Sequence, residues 1–157
     1  MYAMDEAIPQ DDMLILEPED CDTYEMPEGK LLIGRCDQFV SQGFLDLNPG
    51  AKLEQSMPVE GMFKQISGSS LITVADNEQI LEPGKQMQIP ANTAYTIAAQ
   101  GRSIVAWKYD GDMVAKFTEL RKRYPEIKEQ TRKKSGYKEL FDEYQKRFQD
   151  SDAHVER

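Results

Sequence analysis

Histidine is nearly missing from this chain: among 157 residues His154 stands alone, and cysteine appears only as Cys21 and Cys36. Borderline divalent metals favour imidazole, thiolate and carboxylate ligands together. The usual holders of iron, manganese, nickel or zinc are therefore in short supply before any pattern is read, and His154, in the tail, reads as a solvated surface residue. The two cysteines show no CxxC spacing. They read as free thiols in a reducing compartment, with one disulfide as the alternative. No apolar run approaches the ~18 residues of a membrane span, and residues 1–28 lack the basic-then-apolar order of a signal peptide. The expectation is a cytoplasmic protein with no membrane partner.

Lysine and arginine are absent from residues 1–28, which hold ten acids (Asp5, Glu6, Asp11, Asp12, Glu17, Glu19, Asp20, Asp22, Glu25 and Glu28). Residues 116–138 reverse the balance, with nine bases against three acids. Each block reads either as a solvated face or as one half of a pairing, within one chain or across a dimer. The net charge of −9 repels phosphate, so nucleic acid is not an expected partner.

Short apolar runs fill the middle of the chain: Leu31–Ile33, Phe44–Leu47, Met62–Ile66, Leu71–Val74, Met87–Ile89, Tyr95–Ile97 and Ile104–Trp107. Turn residues bound them, among them Asn48-Pro49-Gly50, Ser67-Gly68, Asp76-Asn77, Glu82-Pro83-Gly84 and Gln100-Gly101. Turns every ~8–12 residues predict a β-sandwich or barrel. After Gly111 the period changes. Met113, Phe117, Leu120 and Tyr124 lie on one face of a helix that Asp112 would cap and Pro125 would end. A polar middle helix is predicted from Pro125 to about Ser135. A last amphipathic helix carries Tyr137, Leu140, Phe141, Tyr144 and Phe148 on one stripe. The division expected is an acidic segment over 1–22, either flexible or an edge strand built on Met13–Leu16. A β-barrel over 23–110, a helical extension over 111–150 and a frayed tail over 151–157 complete it.

Two segments carry a resemblance. In the second, Gly84, five residues and Pro90 are followed by Asn92, Tyr95 and Ala99. In the first, Pro49-Gly50 opens a stretch that Gly68 closes. Over residues 43–109 the chain resembles the cupin superfamily, whose second motif runs Gly, five residues, Pro, one residue, Gly, two residues, His, three residues, Asn. Asn92 stands at the glycine position, where it tolerates the positive φ required. Tyr95 stands at the histidine position and Ala99 at the asparagine position. Counting back through the first motif from Gly68 puts its glutamate position at Gly61. Its paired histidine positions fall at Glu54 and Ser56 or, with the shorter spacing, at Gln55 and Met57. Glu60 is one residue from the glutamate position.

The resemblance implies a mainly β fold, a cupin-type double-stranded β-helix (jelly-roll barrel) with a C-terminal α-helical extension, and the loss of the family's metal ligands. No metal and no cofactor are expected. The first reading is a binding or dimerisation module, a homodimer, because cupins commonly dimerise through sheet edges. The second is a small-molecule sensor or carrier with a pocket near Tyr95, lined by Phe63, Gln65, Gln88 and Trp107 with Glu54 and Glu60 at its rim. The third is a metal-independent isomerase or epimerase using Glu54 or Glu60 as base and Tyr95 as acid. Against the third, Tyr95 would simply fill the volume of the lost metal cluster, its hydroxyl bonded to Gln65 or Gln88.

Overall fold

A computed structural model of the chain describes residues 18–127 and 137–155. Met13–Leu16, residues 128–135 of the predicted middle helix, and the side chains of Phe148 and His154 lie outside the described residues. A 3-10 turn at Pro18–Asp20 leads into ten strands: β1 (Asp22–Met26), β2 (Gly29–Cys36), β3 (Val40–Leu47), β4 (Lys52–Gln55), β5 (Gly61–Ser67), β6 (Ser70–Val74), β7 (Asn77–Leu81), β8 (Gln86–Ile89), β9 (Tyr95–Ala99) and β10 (Ser103–Asp110). Among the described residues two helices follow, α1 (Val114–Arg123) and α2 (Tyr137–Val155). Every strand pairing is antiparallel. One sheet has the order β1-β2-β3-β10-β5-β8 and the other β4-β9-β6-β7. This is the expected jelly-roll barrel with helices after it.

Strand alternation sorts side chains onto the two faces of the larger sheet. Leu31, Ile33, Leu45, Leu47, Phe63, Val105, Trp107 and Tyr109 point at the smaller sheet and form the main core with Leu53, Ile72, Tyr95 and Ile97. The intervening residues Leu32, Phe44, Ile66, Ile104 and Ala106 point outward into a second cluster with Cys21, Tyr137, Phe141 and Tyr144. That outer face explains the stripe on α2: the helix covers it, with the Phe141 ring edge-on to Phe44 at 5.0 Å. Lys64, also on the outer face, is buried and holds its ammonium 5.8 Å from the centre of the Tyr144 ring. Cys21 and Cys36 are free thiols.

A buried carboxylate fixes the start of α2. Asp46 accepts two hydrogen bonds from Arg102, at 3.0 and 2.9 Å, and a third of 2.7 Å from the Tyr137 hydroxyl. Taking a carboxylate out of water is tolerated when its lone pairs are used in this way.

Three strands were missed in the sequence because none of them shows a clean apolar run. β7 exposes Asn77, Glu78, Gln79 and Ile80 in succession, and β4 buries only Leu53. β1 lies in the acidic zone, yet it buries Thr23, Tyr24 and Met26. The polar middle helix is corrected at its beginning: Pro125–Ile127 runs extended beside β1. Glu25 N–H donates to Pro125 O at 2.8 Å and Ile127 N–H to Thr23 O at 2.7 Å, so β1 takes the backbone partners that a helix would have used internally. Among the described residues the acidic and basic blocks pair where Arg121 Nη1 donates to Asp22 and to the Tyr24 hydroxyl, both at 2.9 Å.

Tyr137→Phe leaves Asp46 one donor short and is expected to lower the unfolding free energy by about 1.5–3 kcal/mol, the worth of a hydrogen bond to a charged group. Lys138→Ala, which removes an exposed pair with Asp142 at 3.4 Å, should change it by less than about 0.5 kcal/mol. Urea denaturation followed by circular dichroism checks both.

Candidate functional site

The inner face of the barrel at the α1 end is built by five aromatic rings. Trp107 and Tyr109 alternate inward on β10, Phe63 faces them from β5, and Tyr95 reaches across from β9 in the opposite sheet. Phe117 descends from α1 and stacks on Trp107 with ring centres 5.0 Å apart and planes 19° apart. Phe63 meets Tyr95 at 5.4 Å and Tyr109 at 6.4 Å, both near edge-on. Trp107, Tyr109 and Phe117, with Leu31, Leu45, Gln55, Met57 and Leu120, leave a cavity of about 10 Å³ between them, space for one water at most.

Two glycines make this packing possible. A Cβ on Gly43, which pairs with Trp107, would lie 2.4 Å from the indole Cζ2. A Cβ on Gly61 would lie 2.5 Å from the Tyr109 ring. Gly61 is the position where the family's first motif carries glutamate, and here the Tyr109 ring occupies the space that such a side chain would need.

The choice between the two histidine registers is resolved by β4. Leu53, Gln55 and Met57 face the barrel, while Glu54 and Ser56 face solvent. The positions equivalent to the metal-binding set therefore carry Gln55, Met57, Gly61 and Tyr95. One amide, one thioether, a residue without a side chain and one phenol do not fit a borderline divalent metal. Among the described residues no three His, Cys, Asp or Glu side chains come together.

Tyr95 is buried, and its hydroxyl donates to Gln55 Oε1 at 2.7 Å. The Tyr109 hydroxyl is 3.1 Å from it and is left to donate. Burial pushes the Tyr95 phenol well above its ordinary pKa, with the bond to Tyr109 opposing. Burial likewise raises Tyr109, and Tyr95 adds to it. Both phenols are neutral hydrogen-bonding groups, poorly suited to lose a proton.

Several expectations for the site need correction. Glu54 and Glu60 are exposed, and neither bonds to Tyr95. Gln88 is exposed too, since Ile89 is the inward residue of β8. The partners of Tyr95 are Gln55 and Tyr109, not Gln65 or Gln88. Gln65 is buried, but at the far end of β10, where its Nε2 donates to Ser67 O at 2.8 Å and to Ser103 Oγ at 2.7 Å. Phe63, Tyr95 and Trp107 do converge. Tyr109 was legible as the next inward residue after Trp107, and Phe117 as the centre of the α1 stripe. The turn after Pro90 behaves as read: Asn92 adopts φ 55°, and its N–H donates to Met57 O at 2.7 Å.

A larger space lies outside the plug. A groove of about 360 Å³ runs between β4 and α1, sharing Leu31, Gln55, Met57 and Leu120 with the closed interior. Lys116 and Arg123 stand on its helical wall and Glu54 on the strand wall.

Phe117→Ala opens the barrel end and is expected to cost about 3–5 kcal/mol. It should also red-shift the fluorescence of Trp107, the sole tryptophan, as the indole gains water. The tyrosines predict alkaline sensitivity. Their folded-state pKa values are raised, so the folded state holds protons that the unfolded chain loses above about pH 10. Stability should be level from pH 7 to 9 and fall above about pH 10, less steeply in Tyr95→Phe; denaturant melts across that range read the difference.

No family model matches the sequence, and no curated protein matches it. Solved structures do. An RmlC-like cupin from Shewanella frigidimarina superposes with a TM-score of 0.55 at 12% identity, covering 59% of this chain and 86% of that one. An oxalate decarboxylase variant from Bacillus subtilis gives 0.56 at 15% identity, covering 61% of this chain and only 29% of the enzyme. A cupin superfamily protein from Desulfitobacterium hafniense gives 0.50 at 19%, covering 52% and 76%. Identities this low carry no shared chemistry, but together with the strand order they establish the architecture: this chain has the cupin fold.

Proposed function

We propose that this protein is a metal-free, non-catalytic cupin that works as a binding and self-association module, its barrel serving as a scaffold. One observation carries the reading. Where a catalytic cupin needs an open, ligand-lined interior, this chain packs Phe63 on Tyr95 and Phe117 on Trp107, and Trp107, Tyr109 and Phe117 line a cavity of only about 10 Å³. Gln55, Met57, Gly61 and Tyr95 at the motif positions supply neither a metal site nor a carboxylate base. An acid–base reaction would need a carboxylate within hydrogen-bond reach of Tyr95, and a glutamine occupies that place.

Self-association has support from the sheet edges. β7 closes the smaller sheet with Asn77–Ile80 exposed, and Ile80 keeps 56% of its surface in contact with solvent. An exposed edge strand with an apolar residue is a template for pairing with another chain. A homodimer joined there would cover both features at once.

Light scattering at micromolar concentration should give about twice the 18.0 kDa of one chain, and Ile80→Lys should shift the population toward monomer. A mass near 18.0 kDa for the unaltered protein would sink the dimer. Untagged protein should carry iron, manganese, nickel and zinc only far below one per chain; near-stoichiometric metal would overturn the metal-free reading.

A further inference from the structure

We infer that the groove between β4 and α1 is a binding site for a small amphipathic carboxylate of medium chain length, with Lys116 as its anchor. The site is distinct from the filled interior and from the β7 edge, so it stands whether or not the chain dimerises.

The floor is apolar, and Glu54, Gln55, Ser56, Lys116 and Arg123 give the walls a polar surface. Met26, Leu31, Leu53, Met57 and Leu120 line the groove, and unbranched methionines adapt to varied aliphatic shapes. A volume of about 360 Å³ sits at the small end of ligand pockets, which run from about 300 to 1,000 Å³. On the helical wall Lys116, Leu120 and Arg123 follow at i, i+4 and i+7, which places them on one face. Seven residues of helix rise about 10.5 Å, so the two cations are carried two turns apart along the groove.

Their surroundings distinguish them. Arg123 is already used: it pairs with Glu119 at 2.9 Å and stands mostly in solvent. Lys116 is half-buried against the groove and has no ion pair or hydrogen bond among the described residues. A cation beside an apolar surface without a counter-charge is the feature an anionic head group would satisfy. Gln55 adds a donor. Its Oε1 is taken by Tyr95, whereas its Nε2 has no hydrogen bond to another described residue, and Gln55 lines the groove.

The sign of the ligand follows from both walls. Glu54 on the strand side disfavours a second negative group and a wholly anionic molecule. A single carboxylate at Lys116 and Gln55, with an aliphatic chain along Leu120 toward Met26, meets the unpaired cation and leaves Glu54 in water.

The test is calorimetric titration of the full chain with decanoate below its micelle concentration, beside decanol and decyltrimethylammonium of the same chain length. Decanoate should bind saturably, one per chain, and at least tenfold more tightly than either control. Lys116→Ala should weaken decanoate at least tenfold, Lys116→Arg should retain it within about threefold, and Arg123→Ala should change it less than threefold. Both positions are off the core, and circular dichroism would verify that the variants fold. Absence of saturable decanoate binding, equal binding of decanol, or full binding by Lys116→Ala each overturns the assignment. Light scattering of the same samples reads self-association separately, so failure of one proposal does not imply failure of the other.

Discussion

The stack of Phe117 on Trp107 is the contact on which the rest of the molecule turns. Trp107 sits mid-way along β10, the strand that β3 and β5 share. Its ring lies flat only because Gly43 across the ladder has no side chain. With Phe117 over it, the barrel end is closed by apolar rings, and such pairs are worth about 0.5–1.5 kcal/mol each beyond their area burial. Closing the barrel this way leaves about 10 Å³ among Trp107, Tyr109 and Phe117. It also sets the position of α1, and the β4–α1 groove exists only because that helix is held against the barrel mouth.

The same strand works on its other face. Ile104 and Ala106 point outward and are covered by α2, so β10 is buried on both sides. A sheet with two apolar faces needs two partners; the smaller sheet is one and the C-terminal helix the other. The helix is located by a polar device as well as by area. Asp46, paired to Arg102 and Tyr137, gives the interface a specific register, because sliding α2 would leave a buried carboxylate without its third donor. The helices are therefore structural layers of this cupin, which changes where its free surface lies.

Much of the fold was legible because alternation and turn chemistry are local. Seven strands announced themselves as apolar runs between Gly, Pro and Asn turns, and Asn92 adopts the positive φ that its motif position requires. The stripes on both helices were read correctly for the same reason: Met113, Phe117 and Leu120, then Tyr137, Phe141 and Tyr144, are the buried residues. The exposed edge strand β7 and the extended Pro125–Ile127 were not legible, since their conformation comes from pairing with strands distant in sequence. The site was half legible. Tyr95 stood out as a replaced histidine, but whether Glu54 or Gln55 faced it depended on a one-residue register, which reverses every side chain on a strand.

The sequence by itself determined what this protein lacks and the frame it is built on. With one histidine in the tail, no arrangement of the chain could restore the family's imidazole ligands, and turn residues at short spacing committed the middle to a barrel. Packing in three dimensions set the aromatic plug at one end of the barrel. Tyr109 and Phe117 come from a strand end and a helix, and only the closed fold brings them against Phe63 and Tyr95. It decided as well that Lys116 borders the β4–α1 groove without an ion pair among the described residues, because neighbours across a groove are set by how helix and sheet pack.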